Sequence, residues 1–109
     1  MLNVLFVCSQ NKLRSPTAEQ VFADWPGITT ASAGLNHDAE VPLGLELVQW
    51  AGLILVMETR HREKLRKRFK AQLHAQQVVC LNIPDDYEFM DPQLIQLLQQ
   101  RVPPFLPER

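Results

Sequence analysis

Two residue types that handle anions lie close together near the start of the chain. Cys8 is followed by five residues and then by Arg14, and Ser15 comes directly after the arginine. A cysteine thiolate is a strong nucleophile, and the planar fork of an arginine can hold two oxygens of one oxyanion. The spacing therefore indicates a loop in which a cysteine meets a bound tetrahedral anion. The residues between the two are Ser9, Gln10, Asn11, Lys12 and Leu13.

The segments on either side of this loop, residues 8–15, favour the same chemistry. Residues 2–7 are rich in branched and aromatic side chains, which is typical of a strand covered on both faces of a parallel sheet. Ser15 and Pro16 predict a helix start, with Ser15 as the cap and Pro16 at the first helical position. A loop that enters a helix can turn its backbone N–H groups toward an anion, and the helix dipole favours negative charge there, a thiolate included.

Strand and helix patterns alternate along the rest of the chain. We predict strands over 28–33, 53–57 and 78–83, and helices that begin at Pro42, near Thr59 and at Asp91-Pro92. This order predicts an α/β fold of three layers, α/β/α, with a four-stranded parallel sheet. Ligands bind beyond the carboxyl ends of such strands, so a loop containing Asp85 should meet the cysteine loop. We expect one domain over 1–109, with a loose tail from about 103.

Composition limits the classes of function. Net charge is −1, and no apolar run approaches the length needed to cross a bilayer. We therefore expect a soluble cytoplasmic protein, a monomer or small oligomer without membrane contact, whose Cys80 is inert strand core. Seven of the eleven Lys and Arg residues fall between Arg60 and Lys70. That segment is either a solvated helix face, with His61 and His74 at the surface, or a docking site for an acidic or nucleic-acid partner.

The chain resembles the low-molecular-weight protein tyrosine phosphatase family over nearly its whole length. The matching residues are Cys8, Asn11, Arg14, Ser15 and Pro16, then Ser32-Ala33-Gly34, then Leu-Ile-Leu-Val-Met-Glu at 53–58, and finally Ile83-Pro84-Asp85. The resemblance implies a hydrolase of the protein phosphatase type, a phosphomonoesterase that needs no metal or cofactor. It would act through a phosphocysteine intermediate on phosphotyrosine or another aryl phosphate.

The resemblance also implies a role for each site residue. Cys8 would attack phosphorus, Arg14 would bind the transferred phosphoryl group, and Asp85 would protonate the leaving oxygen and then activate water. Asn11 would hold the loop's shape, and the Ser15 hydroxyl would hydrogen-bond the thiolate. The whole phosphate-binding set would be Ser9, Gln10, Asn11, Lys12, Leu13, Arg14 and Ser15, with Tyr87 and His37 in the substrate pocket.

Several departures from the family pattern leave alternatives open. Leu13 stands where many members have a second cysteine, Asp86 follows Asp85 where they have proline, and the segment from 34 to 50 is short. Asp86 is therefore the alternative acid. Two other functions compete: a non-catalytic phosphate-binding or interaction module, and a thiol-dependent arsenate reductase. The reductase would need a further cysteine near the site, and Cys80 is the only other one in the sequence.

Overall fold

The structure, a computed structural model, describes residues 1–73 and 75–108, so the prediction for His74 lies outside the described residues. Four parallel strands form one sheet in the order β2-β1-β3-β4. They are β1 Leu2–Cys8, β2 Ile28–Gly34, β3 Leu53–Val56 and β4 Gln77–Cys80. The helices are α1 Arg14–Val21, α2 Leu45–Trp50, α3 Thr59–Arg68 and α4 Pro92–Arg101. A 3₁₀ turn, Pro103–Phe105, follows α4.

Helices cover both faces of the sheet, which confirms the three-layer α/β/α prediction. Alternate residues of the central strand β1 point to opposite faces. Val4 and Phe6 pack with α1 and α4, whereas Leu5 and Val7 pack with α2 and α3. Because residues 4–8 of β1 are buried on both faces, they read as a continuous apolar run.

Two predicted element boundaries are wrong, each for a local reason. Helix α2 begins at Leu45 and not at Pro42, because residues 41–43 run beside Gly34 as extended chain. There the Gly34 N–H donates to the Val41 carbonyl and the Leu43 N–H to the Gly34 carbonyl. The fourth strand ends at Cys80 and not at Ile83, since Asn82 adopts a left-handed conformation with φ 56°.

The helix starts also differ from the predictions in detail. Ser15 is not the cap of α1, because its hydroxyl hydrogen-bonds Cys8 and Asn11 inside the loop. The capping position is Leu13, which makes no side-chain hydrogen bond to the helix. Helix α3 begins at Thr59, and its capping residue is Glu58. The predicted start of α4 is confirmed: the Asp91 carboxylate accepts a hydrogen bond from the Gln93 N–H, and Pro92 is the first helical residue.

The predicted loose tail is wrong. Leu106 is buried against the same core as α1 and α4, and the Pro107 carbonyl accepts a hydrogen bond from the Trp25 indole at 2.9 Å. Cys80 is also not inert core. It lies half-buried on the edge strand β4, where its thiol hydrogen-bonds Thr59 and Asn82. An apolar pattern does not distinguish an edge strand from a central one, and this explains the error.

No helix among the described residues is long and apolar enough to cross a membrane.

Candidate active site

Cys8 ends β1 with its thiol inside the turn of the loop that follows. The Asn11 backbone N–H donates to Cys8 Sγ at 3.2 Å, and Ser15 Oγ lies 2.9 Å from the same sulfur. Ser15 Oγ also lies 2.9 Å from Asn11 Oδ1 and donates to it. A serine has one hydroxyl hydrogen. In the thiol form, Cys8 therefore donates to Ser15. In the thiolate form, that single hydrogen can turn to the sulfur.

Residues 35–40, which follow β2, fix the backbone of the cysteine loop through hydrogen bonds to its carbonyls. The N–H groups of Leu35, Asn36 and Glu40 donate to the carbonyls of Cys8, Ser9 and Gln10 respectively, at 2.9, 3.0 and 3.0 Å. A peptide carbonyl and the N–H that follows it point in opposite directions in the planar unit. These three bonds therefore turn the N–H groups of residues 9, 10 and 11 to the opposite side. The Asn11 N–H does point at the sulfur, and a cradle of donors results.

Asn11 and Gly34 show why particular residue types occupy this region. Asn11 has φ 57°, a left-handed conformation that asparagine tolerates better than most residues. Gly34 allows the two segments to touch, because a Cβ there would lie 2.5 Å from the Ala39 Cβ and 2.6 Å from the Ser9 carbonyl oxygen. Any other residue at 34 would push the supporting segment off the loop.

Arg14 is the first residue of α1, and its side chain is 2% exposed. Its Nη1 donates to Glu58 Oε2 at 2.6 Å and to the Ile83 carbonyl at 2.8 Å. These two bonds use both Nη1 hydrogens. The other edge of the guanidinium, Nε and Nη2, is the one that binds two oxygens side by side. Glu58 and Ile83 thus hold the arginine by Nη1, and the Nε–Nη2 edge makes no hydrogen bond within the described residues.

Glu58 is the anionic anchor of the site. Its carboxylate accepts from Arg60 at 3.1 and 3.2 Å as well as from Arg14. The hydrogen bonds from Arg60, followed by the hydrogen bond and the charge of Arg14, lower the pKa of Glu58 to about 2 against the opposing effect of burial. The carboxylate is therefore ionised at neutral pH and compensates the buried charge of Arg14.

His61 was expected at the surface, and this expectation is wrong: it is 2% exposed. The Glu58 backbone N–H donates to His61 Nδ1 at 3.1 Å, and Nε2 lies 2.9 Å from Ser9 Oγ. An amide N–H only donates, so Nδ1 must be the acceptor and Nε2 must carry the proton that goes to Ser9. Burial, followed by repulsion from Arg14, lowers the pKa of His61 to about 4. The neutral ring therefore links Ser9, at the start of the loop, to Glu58, which holds Arg14.

A cavity of about 180 Å³ opens above the loop, and its lining includes Asp85. Asp85 Oδ1 lies 3.6 Å from Arg14 Nε, so the two predicted partners from distant parts of the chain meet here. Asp86 is exposed and does not line the cavity. The lining residues are Cys8, Ser9, Gln10, Lys12, Leu13, Arg14 and Asp85.

Two predicted pocket residues lie outside this cavity. Tyr87 is half-buried and packs against the core beneath α1 and α4. His37 is exposed and lines an adjoining depression, which shares Gln10 with the cavity and also contains Lys64. Asn11 and Ser15 belong to the loop but are buried and do not line the cavity, so they support the site from below.

Sequence reasoning assigned no role to Glu58 or to His61. The available signal was their spacing: a carboxylate directly after the apolar run at 53–57, with a histidine three residues on at the start of a helix. That spacing allows a capping box, and both of its side-chain bonds are present here.

Comparison with known proteins finds likeness in structure alone. No family model matches the chain, and no curated protein matches it. A low-molecular-weight protein tyrosine phosphatase from Streptococcus pyogenes superposes with a TM-score of 0.80 at 15% identity, covering 99% of this chain and 95% of that one. The YwlE arginine phosphatase from Geobacillus stearothermophilus gives 0.75 at 21%, covering 92% and 90%. The tyrosine phosphatase Wzb from Escherichia coli K30, in complex with phosphate, gives 0.68 at 24%, covering 93% and 94%.

The chain therefore has the fold of the low-molecular-weight protein tyrosine phosphatases, as its resemblance to them predicted.

Proposed function

We propose that this protein is a metal-independent phosphomonoesterase that acts through a phosphocysteine intermediate. One observation carries the proposal: Cys8 Sγ accepts a loop N–H beside an arginine whose Nε–Nη2 edge makes no hydrogen bond within the described residues, and an aspartate 3.6 Å from that edge lines the same cavity. A core-filling cysteine requires none of these neighbours. Three parts of the chain converge on this arrangement.

The proposed reaction has two steps, in which each residue has one task. The Cys8 thiolate attacks phosphorus, and the bond from phosphorus to the leaving oxygen breaks while Asp85 gives that oxygen a proton. Water then attacks the phosphocysteine, with the Asp85 carboxylate accepting its proton. The sulfur–phosphorus bond breaks, and inorganic phosphate and the thiolate are released. Arg14 and the loop N–H groups hold the equatorial oxygens, which carry the transition-state charge in both steps.

We propose Asp85 as the acid rather than Asp86, because Asp85 lines the cavity and contacts Arg14. Asp86 is one residue further on and lies outside. The two carboxylates are adjacent and both exposed. Substitution of Asp86 therefore makes a matched control for substitution of Asp85.

An aryl phosphate, phosphotyrosine above all, is the proposed substrate. The structural neighbours include both tyrosine phosphatases and an arginine phosphatase, so phosphoarginine is the natural competitor. Lys12 lines the cavity with an exposed side chain, and it forms no ion pair within the described residues. Its charge would repel a guanidinium leaving group, whereas it would not oppose a neutral aromatic ring.

Of the two competing functions, the phosphate-binding module keeps the same loop and lacks only turnover. An arsenate reductase would need a second thiol to take over the disulfide. Cys80, on β4, does not line the cavity that holds Cys8. The proposed setting is a single-domain protein of the cytoplasm, a monomer or small oligomer, where reducing conditions keep Cys8 as a thiol.

The test is hydrolysis of p-nitrophenyl phosphate, phosphotyrosine peptide and phosphoarginine peptide in the presence of a chelator. Wild type is compared with Cys8→Ser, Asp85→Ala and Asp86→Ala. We expect Cys8→Ser to abolish turnover and Asp85→Ala to lower kcat ~10²- to 10⁴-fold, the usual contribution of a general acid. Asp86→Ala should stay within about 3-fold of wild type, since surface changes away from a site are small.

Rapid acid quenching with ³²P-labelled substrate adds a direct observation of the intermediate. Label should remain on wild-type protein and be absent from Cys8→Ser. A folded wild-type protein that binds vanadate yet turns over none of the three substrates would establish the binding module instead. Thiol-dependent reduction of arsenate that is lost in Cys80→Ser would establish the reductase.

A further inference from the structure

Five of the seven basic residues between Arg60 and Lys70 form two groups in the structure. Arg60 binds Glu58, while Arg68 donates to the carbonyls of Leu35 and Leu43 and stacks on Phe69. These arginines serve the fold. The second group is Arg66, Lys67 and Lys70. These three residues make no ion pair within residues 1–73 and 75–108.

This second group lines one side of a cavity of about 640 Å³, which we call the basic groove. Its lining is Arg66, Lys67, Lys70, Leu73, Gln76 and Val78. Cations in the last turn of a helix are favoured by the helix dipole, which accounts for their being near the end of α3. The dipole does not account for three of them facing an apolar floor of Leu73 and Val78. No acidic residue is among those that line the groove.

The groove runs along a sheet edge that has backbone groups to offer. Strand β4 pairs with β3 on one side, and no described strand pairs with its other side. The N–H groups of Gln77 and Leu81 donate to Gly52 and Val56, toward β3. Because backbone groups alternate in direction along a strand, those of Val78 and Cys80 point to the free edge. Val78 therefore presents both its side chain and its backbone to the groove.

We propose that the basic groove binds an extended acidic segment of a partner protein. The segment adds to the free edge of β4 at Val78, as strand-adding peptides do at other sheet edges. Alternate side chains then face the α3 side. One apolar side chain covers Leu73 and Val78, and carboxylates lie beside Arg66, Lys67 and Lys70.

An acidic peptide fits these features better than a nucleic acid does. A sugar-phosphate backbone would satisfy the three cations, but it cannot continue the hydrogen-bond ladder of a strand and gains nothing from the apolar floor. The proposal does not depend on the proposed phosphatase activity, because the groove contains no residue of the cysteine cavity. Cys8→Ser protein should therefore bind the same segment.

The experiment is fluorescence anisotropy with the full chain at physiological salt. The probe is a fluorescein-labelled peptide in which Glu, Leu, Glu and Glu alternate with Thr. Three comparison probes are the same peptide with Pro in place of two Thr residues, the peptide with Ser in place of Leu, and an oligothymidylate of equal charge. The protein variants are Lys67→Glu, in the groove, and Lys64→Glu, which makes the same charge change on the same helix outside it.

We expect the alternating peptide to bind at least 5-fold tighter than the Pro and Ser versions and than the oligothymidylate. Lys67→Glu should weaken that binding at least 5-fold, whereas Lys64→Glu should change it less than 2-fold. Equal binding of the Pro version, or equal losses in the two charge variants, would reduce the effect to general electrostatics and overturn the proposal. Tighter binding of the oligothymidylate, or no peptide binding, would overturn it as well.

Discussion

Acidification should destabilise this protein through one buried side chain, His61. Its pKa is lowered from 6.5 to about 4 in the folded chain, chiefly by burial and then by the charge of Arg14. The unfolded chain therefore takes up this proton at a higher pH than the folded chain. The stability that depends on His61 is complete above its unfolded pKa and is lost as the pH falls toward 4.

The size of the effect follows from that difference. Each unit of pKa corresponds to about 1.4 kcal/mol, so the difference between 6.5 and about 4 gives a full loss of ~3.5 kcal/mol. Between pH 7.5 and 4.5, linkage gives a fall of about 2.5 kcal/mol in the free energy of unfolding. The ring is almost fully enclosed, so solvent screening does little to reduce it. Glu58 contributes little in this range, because its pKa falls from 4.5 in the unfolded chain to about 2 and most of its contribution is lost below pH 4.5.

Urea unfolding at half-unit pH intervals measures the effect, with His61→Asn as the comparison. Asparagine keeps a short acceptor for the Glu58 N–H but does not titrate. Wild type should lose ~2.5 kcal/mol more than the variant between pH 7.5 and 4.5, with the steepest loss below pH 6.5. Parallel curves for the two proteins would refute the assignment of His61 as a buried neutral ring.

Three further substitutions test the support of the site. Glu58→Gln removes the nearer of the two anions beside Arg14 and should cost about 1–3 kcal/mol, measured by urea unfolding, with weaker vanadate binding by calorimetry. Unchanged vanadate affinity would contradict the anchoring role. Gly34→Ala inserts a Cβ 2.5 Å from that of Ala39, so it should lower the free energy of unfolding by about 1–3 kcal/mol and also weaken vanadate binding. The control is Gly44→Ala, whose Cβ meets no atom within 4 Å and should leave vanadate affinity unchanged. Lys12→Thr should raise the ratio of kcat/KM for phosphoarginine over phosphotyrosine about 3- to 10-fold, and an unchanged ratio would show that Lys12 does not select the leaving group.

The fold was predictable because its signals are local. The buried strands read as apolar runs. Asp91-Pro92 predicts the start of α4, because a capping aspartate and a proline in the first turn need no tertiary partner. The cysteine loop was predictable for the same reason, since Cys8, Arg14 and the helix start are neighbours in sequence. The meeting of Asp85 with Arg14 followed from the rule that parallel strands end at one edge of the sheet.

Features that depend on which surface is covered could not be predicted in this way. His61 and Arg62 are adjacent in a strongly basic helix, and nothing in composition shows that the first is enclosed by the cysteine loop. Leu106 follows two prolines that end α4, a pattern typical of a frayed terminus, yet it packs into the core. Cys80 has an apolar strand pattern around it but lies at the edge of the sheet. In each case the tertiary arrangement overrides the local pattern.

The charges around the cavity bear on how an anion would be held there. Arg14 and Arg60 are offset by Glu58 and Asp85, two cations against two anions in one contact network. The charges in this network are thus balanced, so Arg14 would orient a bound anion but adds little net positive charge to the cavity. If the proposed function holds, the attraction for a phosphoryl group would come largely from the loop N–H groups, the N terminus of α1 and Lys12. Peptide dipoles do not titrate, so their part of the attraction should be independent of pH, whereas protonation of the phosphate and of His61, which holds the loop, should change anion binding.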